Sequence, residues 1–260
     1  MSALEALLWD VDGTMAETER DGHRVAFNLA FEACGLSWRW DDARYGELLH
    51  VTGGRERLMH DMESRADAPA PGGEREALAR ALHARKNALY AELVASAGVP
   101  LRDGVLELMG ECRDHGVPMA IATTTSRSNV EALLGRHLGR GWAAWFRAIV
   151  CGEDVARKKP DPEVFVKALQ ALAVDPRRAV ALEDSPGGVA AARGARLAVV
   201  VTRSVYFARA PLDSVLAVGP GLHTRSGWQP EPQGPAQAGR VNLADIAGWL
   251  ARGETVSHVP

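Results

Sequence analysis

The sequence predicts an α/β fold, a doubly wound parallel sheet with an inserted all-helical cap domain, and three observations predict it. Short apolar runs recur without polar alternation, as strands buried on both faces do. Amphipathic helical patterns separate those runs, which is the alternation of a doubly wound core. After the first run, about a hundred residues pass before the second, and that stretch carries helical periodicity only.

In chain order, strands are expected at Ala6–Trp9, Pro118–Thr123, Ala148–Cys151, Ala179–Leu182 and Ala198–Thr202, the third being the weakest signal. Core helices are expected over Gly104–His115, Asn129–His137, Glu163–Ala173 and Gly187–Gly194, each with apolar residues spaced by three and four. The long interruption divides the chain into a core of residues 1–19 and 99–260 and a helical cap of residues 20–98. Cap helices are expected at Arg24–Cys34, Gly54–Ser64 and Arg75–Ala97, the last with Leu78, Leu82, Leu89 and Leu93 on one face. "RADAPAPGGE" between the last two is a Pro/Gly loop. Trp38 and Trp40 alternate and are expected to pack inside the cap, and Cys34, Trp142 and Trp145 are expected to be structural. Residues Gly219–Gly239 are rich in breakers and predict a loop, ahead of a closing helix at Leu243–Ala251.

Composition narrows the function classes. Hydrophobic residues make up 47% and charged residues 24%, the balance of an ordinary globular protein. A net charge of -3, with no run of like charges, argues against a nucleic-acid partner. No basic segment precedes the first apolar run, and no stretch has the roughly 18 apolar residues of a membrane span, so a cytoplasmic monomer is expected. Cys34, Cys112 and Cys151 form no CxxC pair and are read as reduced thiols.

Ligands of open parallel sheets bind beyond the carboxyl ends of the strands, so residues just after each apolar run belong together. Asp10 and Asp12 follow the first run, Thr123, Thr124 and Thr125 the second, and Glu183 and Asp184 follow "AVAL"; Lys158 and Lys159 precede the helix at Glu163. Four carboxylates at one sheet edge raise each other's pKa unless a cation lies among them. An all-oxygen donor set without His or Cys favours a hard cation, and Mg2+ if the substrate carries phosphate. A lysine ammonium and threonine hydroxyls are suitable donors to phosphoryl oxygens. Taken singly, Asp184 before "SPGG" reads as well as a helix cap and Lys159 as a solvated loop lysine. It is their recurrence at successive strand ends that marks a site.

The ordered set "DVDGT", "AIATTTS", "KKPDP" and "ALEDSPGGVAAA" resembles the four motifs of the haloacid dehalogenase (HAD) superfamily of aspartate-dependent phosphotransferases. The resemblance implies a HAD-like Rossmannoid core, with Asp10 as the nucleophile that becomes an aspartyl-phosphate and Asp12 as general acid and then base. It further implies Thr123 holding the phosphoryl group, Lys159 rather than Lys158 neutralising charge, and magnesium held by Asp10, Glu183, Asp184 and the backbone carbonyl of Asp12.

"ETERDGHRVAFNLAF", "YGELLHVTGGRERL" and "ARKNALYAEL" extend the resemblance through the cap to the CbbY-type sugar-phosphate phosphatases, neighbours of the β-phosphoglucomutases. This implies a hydrolase of the Calvin cycle that converts xylulose 1,5-bisphosphate, an inhibitor of the carbon-fixing carboxylase, to xylulose 5-phosphate. Candidate substrate-binding residues are Glu17 and His23 for sugar hydroxyls, Thr124 for phosphate, and Arg55, Arg57, Arg85 and Lys86 for a second phosphate. Three other readings share the first aspartate. A phosphomutase differs only in whether a sugar hydroxyl or water attacks the phospho-aspartate. A regulatory phosphoacceptor module needs neither Asp12 nor a cap that excludes water. A dehalogenase uses only the first aspartate.

Overall fold

The computed structural model describes residues 4–96, 98–233 and 239–253 together with the backbone of 256–258. Six parallel strands form the main sheet in the order β3-β2-β1-β4-β5-β7. They are β1 (Ala6–Trp9), β2 (Met119–Ala122), β3 (Ala148–Val150), β4 (Ala179–Glu183), β5 (Ala198–Thr202) and β7 (Ala217–Gly219). The motif-bearing strands β1 and β4 are therefore central and adjacent, in register from Ala6 against Ala179 to Trp9 against Leu182.

The continuous apolar runs follow from burial on both faces. Leu7, Trp9, Met119, Ile121, Val180, Leu182 and Val200 face one core cluster, which includes residues of α5 (Val105–Asp114), α6 (Arg127–Leu138) and α9 (Leu243–Arg252). Ala6, Leu8, Ala120, Ala122, Ala179, Ala181, Val199 and Val201 face the other, with α7 (Glu163–Leu172) and α8 (Pro186–Gly194). The alanines on that second face let α7 and α8 lie close against the centre of the sheet.

Between β1 and β2 stand a wide π-helical turn (Glu19–His23), α1 (Arg24–Ala33), α2 (Asp42–Leu48), α3 (Gly54–Glu63) and α4 (Gly73–Ser96). They enclose a third cluster that contains Phe27, Phe31, Trp38, Trp40, Tyr45 and Leu58. Trp38 and Trp40 pack as expected, their indole nitrogens donating to Asp67 and Asp61 at 2.8 Å each. Trp142 is buried as well, but Cys34 is exposed and fills no packing role. No helix among the described residues is long and apolar enough to cross a membrane.

Three features depart from expectation. Helix α2 is only seven residues, with Gly46 inside it, too short to show periodicity; Asp41 caps it by accepting from the Arg44 amide. Along α4 the buried line is Ala79, Leu82, Lys86, Tyr90 and Val94, so the leucine face is rotated and a lysine lies on the inner side. Its end at Ala97 lies outside the described residues, as do 234–238 of the breaker-rich tail. Strand β7 and the ribbon of β6 (Leu212–Val215) and β8 (Val256–His258) are too short to read from pattern. In β7 the Trp228 ring lies so close to Gly219 that a Cβ there would sit 2.2 Å from it.

Candidate active site

Asp10 is the first residue beyond β1, and its amide donates to Leu182 O at 3.0 Å, extending the β1–β4 ladder. The strand thus carries the carboxylate to the sheet's carboxyl edge, where it is only 6% exposed. Lys159 bridges two acids, its Nζ donating to Asp10 Oδ1 and to Glu183 Oε1, both at 2.6 Å. Glu183 ends β4, fully buried, and its other oxygen accepts from the amides of Asp184 (3.0 Å) and Ser185 (3.4 Å). Asp184 Oδ2 accepts from the Ser204 hydroxyl at 2.5 Å.

Two glycines make room for these acids. Gly13 has φ +88°, and a Cβ on it would lie 2.1 Å from Asp184 Oδ2. A Cβ on Gly188, in the first turn of α8, would lie 1.9 Å from the Glu183 carboxyl. "DGT" and "PGG" are thus steric requirements of the acid cluster as well as turns.

Carboxylate oxygens of Asp10, Glu183 and Asp184 come within 4.8 Å of one another. Burial lifts the Asp10 carboxyl to about 7 against the lowering pull of Lys159, and burial with the charges of Glu183 and Asp10 pushes Asp184 well above its ordinary range. One lysine does not neutralise three carboxylates. An all-oxygen cluster short of positive charge, with space kept by two glycines, fits a hard divalent cation such as magnesium.

Asp12 faces elsewhere. Its Oδ1 accepts from the Thr18 hydroxyl at 2.5 Å and from His23 Nε2 at 2.9 Å. Lys86 Nζ donates to His23 Nδ1 at 2.8 Å, which assigns the ring proton to Nε2. Burial would raise the Asp12 carboxyl, but His23, Thr18 and Lys86 together hold it below the usual range. The π-helical turn brings His23 into this position, against the Tyr90 ring at 4.3 Å.

The cavity runs from this acid end to the inner wall of the helical module. Asp10, Asp12, Thr123, Thr124 and Lys159 line it from the core side, and His23, Arg57 and Lys86 from the other. Arg57 is buried, donating to the Tyr45 hydroxyl at 2.7 Å and pairing with Glu19 at 3.5 Å, while its Nε has no partner. Tyr45 in turn donates to Glu19. Lys86 is buried, its pKa drawn down by burial to about 8.

Three expected ligands do not line the cavity. Arg55 is exposed beside Glu56, outside the α3 face formed by Arg57, Leu58, Asp61 and Met62. Arg85 is exposed because it sits one helical step, about 100°, round from Lys86. Glu17 lies behind the site, its Oε2 accepting from the Val205 amide at 3.2 Å and its Oε1 3.8 Å from Arg102. Conversely, Glu19, His83, Asn129, Lys158 and Phe207 line the cavity. Glu19 stands two residues beyond Glu17 in "ETERDGH", a signal that only the π-turn resolves. Lys158 pairs with Glu56 of the helical module at 2.8 Å.

A buried carboxylate and an acid cluster bridged by a lysine at the carboxyl edge of a parallel sheet, under a helical module, fit a phosphatase. The chain belongs to the haloacid dehalogenase-like hydrolases, whose family match spans residues 4–196, and is of the CbbY type. It is 41% identical over 248 residues to the plasmid protein CbbY of Cupriavidus necator, covering 95% of this chain and 96% of that protein. A solved structure of a CbbY mutant from Rhodobacter sphaeroides in complex with xylulose-(1,5)bisphosphate is 42% identical, with a TM-score of 0.73 over 78% of this chain and 88% of that one. A putative β-phosphoglucomutase from Thermotoga maritima is 26% identical, with a TM-score of 0.55 over 76% of this chain and 85% of that one.

Proposed function

We propose that this protein hydrolyses xylulose 1,5-bisphosphate to xylulose 5-phosphate and inorganic phosphate through a phosphoryl group carried on Asp10. The observation that carries this reading is the polarity of one cavity, with the acid cluster at one end and the buried cations Arg57 and Lys86 at the other. The sugar bisphosphate bound by the Rhodobacter CbbY mutant supports the substrate.

Asp10 Oδ1 is held by Lys159, so Oδ2 is the oxygen that attacks phosphorus. As the ester P–O bond breaks, Asp12 gives a proton to the departing sugar oxygen. Asp12 is ionised in the free site; the negative charge of the arriving phosphate raises its proton affinity, and it takes up one proton, from the phosphate monoanion as that binds, before the ester bond breaks. Asp12, ionised again, then takes a proton from water, which attacks the aspartyl-phosphate, frees phosphate and restores Asp10. Thr123 and Thr124 donate to the phosphoryl oxygens. Asp10, Glu183, Asp184 and the Asp12 carbonyl would hold magnesium, which when bound supplies the charge that lets a phosphate approach these acids. Arg57 and Lys86 grip the second phosphate. Residues 20–98 form the cap, and closing them on residues 1–19 and 99–260 shields the reaction from bulk water.

Phosphate release from a panel of pentose and hexose mono- and bisphosphates with magnesium tests the reading. A ketopentose bisphosphate is expected to be preferred by at least about tenfold. Equal turnover of monophosphates, or an isomeric bisphosphate or monophosphate in place of free phosphate, would overturn it.

A further inference from the structure

The segment just after β5 touches more of the machinery than its length suggests. Arg203 O accepts from Arg102 Nη2 at 2.7 Å, and Arg102 also donates to Gly13 O beside the nucleophile loop. Ser204 holds Asp184 at 2.5 Å, and the Val205 amide holds Glu17 at 3.2 Å. Tyr206 then crosses to the helical module, its hydroxyl donating to Asp42 of α2 at 3.1 Å and its ring 5.8 Å from that of Tyr45. Tyr206 rests on Gly46, where a Cβ would lie 3.2 Å from the ring. Phe207 lines the cavity and, with Tyr206, packs against the aromatic cluster of that module. Burial and the bond to Asp42 push the Tyr206 phenol up to about 12, so it remains a donor through the working pH range.

We propose that Arg203–Phe207 is a core-borne strap that holds the helical module closed over the substrate, with Tyr206 as a positioning residue whose grip favours substrates long enough to span the cavity. Opening the module requires breaking the Tyr206–Asp42 bond and withdrawing both rings from the aromatic cluster. A sugar bisphosphate touching both Asp10 and the Arg57–Lys86 wall draws binding free energy from the closed state, so its apparent affinity scales with the fraction of molecules closed. A small acyl phosphate reaches only the Asp10 end and draws no binding free energy from closure. A looser strap therefore weakens binding of the long substrate alone. This inference rests on the reading of the site as a sugar bisphosphate phosphatase, and the wild-type panel tests that reading separately.

The test compares wild-type protein with Tyr206→Phe and Tyr206→Ala, measuring kcat and KM for xylulose 1,5-bisphosphate and for acetyl phosphate with magnesium. Tyr206→Phe removes the bond to Asp42 and is expected to raise KM for the bisphosphate two- to threefold; Tyr206→Ala also removes the ring and is expected to raise it about tenfold. Both should leave KM for acetyl phosphate within about twofold of wild type. Asp42→Asn weakens the same bond from the other side together with the 3.0 Å ion pair to Arg24; read against Arg24→Gln as the control for that pair, it should reproduce the Tyr206→Phe result and decides the matter if Tyr206→Ala fails to fold. A parallel rise in KM for both substrates would overturn the proposal, leaving the segment a scaffold for Asp184, and so would an unchanged KM for the bisphosphate in all three variants.

Discussion

Lys86 is a buried cation, 3% exposed, with no carboxylate in ion-pair range among the described residues. Its contacts are His23 Nδ1 at 2.8 Å, Asn87 Oδ1 at 3.4 Å and the faces of Phe27 and Tyr90, each ring centroid 5.2 Å away. Burial draws its pKa from 10.5 to about 8. Because the folded value lies below the unfolded one, the unfolded chain binds more protons between pH 8 and 10.5, so this group's contribution to stability rises with pH across that window. Below the window the charged lysine costs the free protein about 3 kcal/mol. Lys86→Met, which keeps the volume and removes the charge, is therefore expected to be stabilised at pH 7 by about 1–3 kcal/mol, after allowing for the lost bonds. By pH 10 the gain should shrink toward zero, because the wild-type lysine is then neutral as well. Taking the difference between variant and wild type in denaturant unfolding cancels the tyrosines and cysteines that titrate in the same range. With the bisphosphate, the same variant should lose about 100-fold in kcat/KM. A variant destabilised equally at pH 7 and pH 10, or one with full kcat/KM, would refute the idea that an unpaired cation is kept buried for a phosphate.

Asp10→Asn should abolish turnover by at least about 1000-fold while leaving the unfolding midpoint unchanged or higher, since it removes a buried acid; a tenth of wild-type activity remaining would exclude Asp10 as nucleophile. Gly188→Ala drives a methyl into the Glu183 carboxyl and is expected to weaken magnesium binding, measured by calorimetry, by at least about tenfold, whereas Gly187→Ala, with no atom nearer than 4.0 Å, should bind normally. Arg57→Ala should raise KM for the bisphosphate by about 30-fold or more, and exposed Arg85→Ala should change it less than twofold; equal effects would contradict the assignment of the cavity wall.

The sheet and its acids were legible because each site residue sits at a fixed offset from a run of apolar residues. Asp10 follows Trp9, and Glu183 and Asp184 follow Leu182. Burial on both faces forces those runs to be continuous, so their ends stand out even in a single sequence. Contacts made by loops returning from elsewhere carry no such offset. Nothing local to "TRSVYFAR" places Tyr206 beside Tyr45 or Phe207 in the cavity. The wall of the helical module was partly legible. Charge singled out the right stretches, but periodicity of 3.6 did not distinguish Arg57 from Arg55 or Lys86 from Arg85. In α4 the lysine belongs to the buried line, so hydrophobicity, the usual guide to a helix's inner face, pointed to the leucines instead.

Charge accounting shows why the acid end and the cation end belong to one design. With all three acids ionised, Asp10, Glu183 and Asp184 against Lys159 would leave the inner end with two negative charges, which would repel a phosphate brought beside Asp10; burial and that excess together lift the Asp10 and Asp184 carboxyls in the absence of a divalent cation. A divalent cation cancels that excess and turns the same acids from a barrier into a cradle. At the far end Arg57 and Lys86 outnumber Glu19, so that wall attracts an anion without a metal. The two ends therefore answer differently to chelation. Removing magnesium should stop phosphate release yet leave the far end able to hold an anionic sugar phosphate, so a product monophosphate should still bind metal-free protein and lose that binding in Arg57→Ala. If chelation abolished all binding of the monophosphate, the Arg57–Lys86 wall would not be an independent phosphate site, and the cavity would be organised around the metal alone.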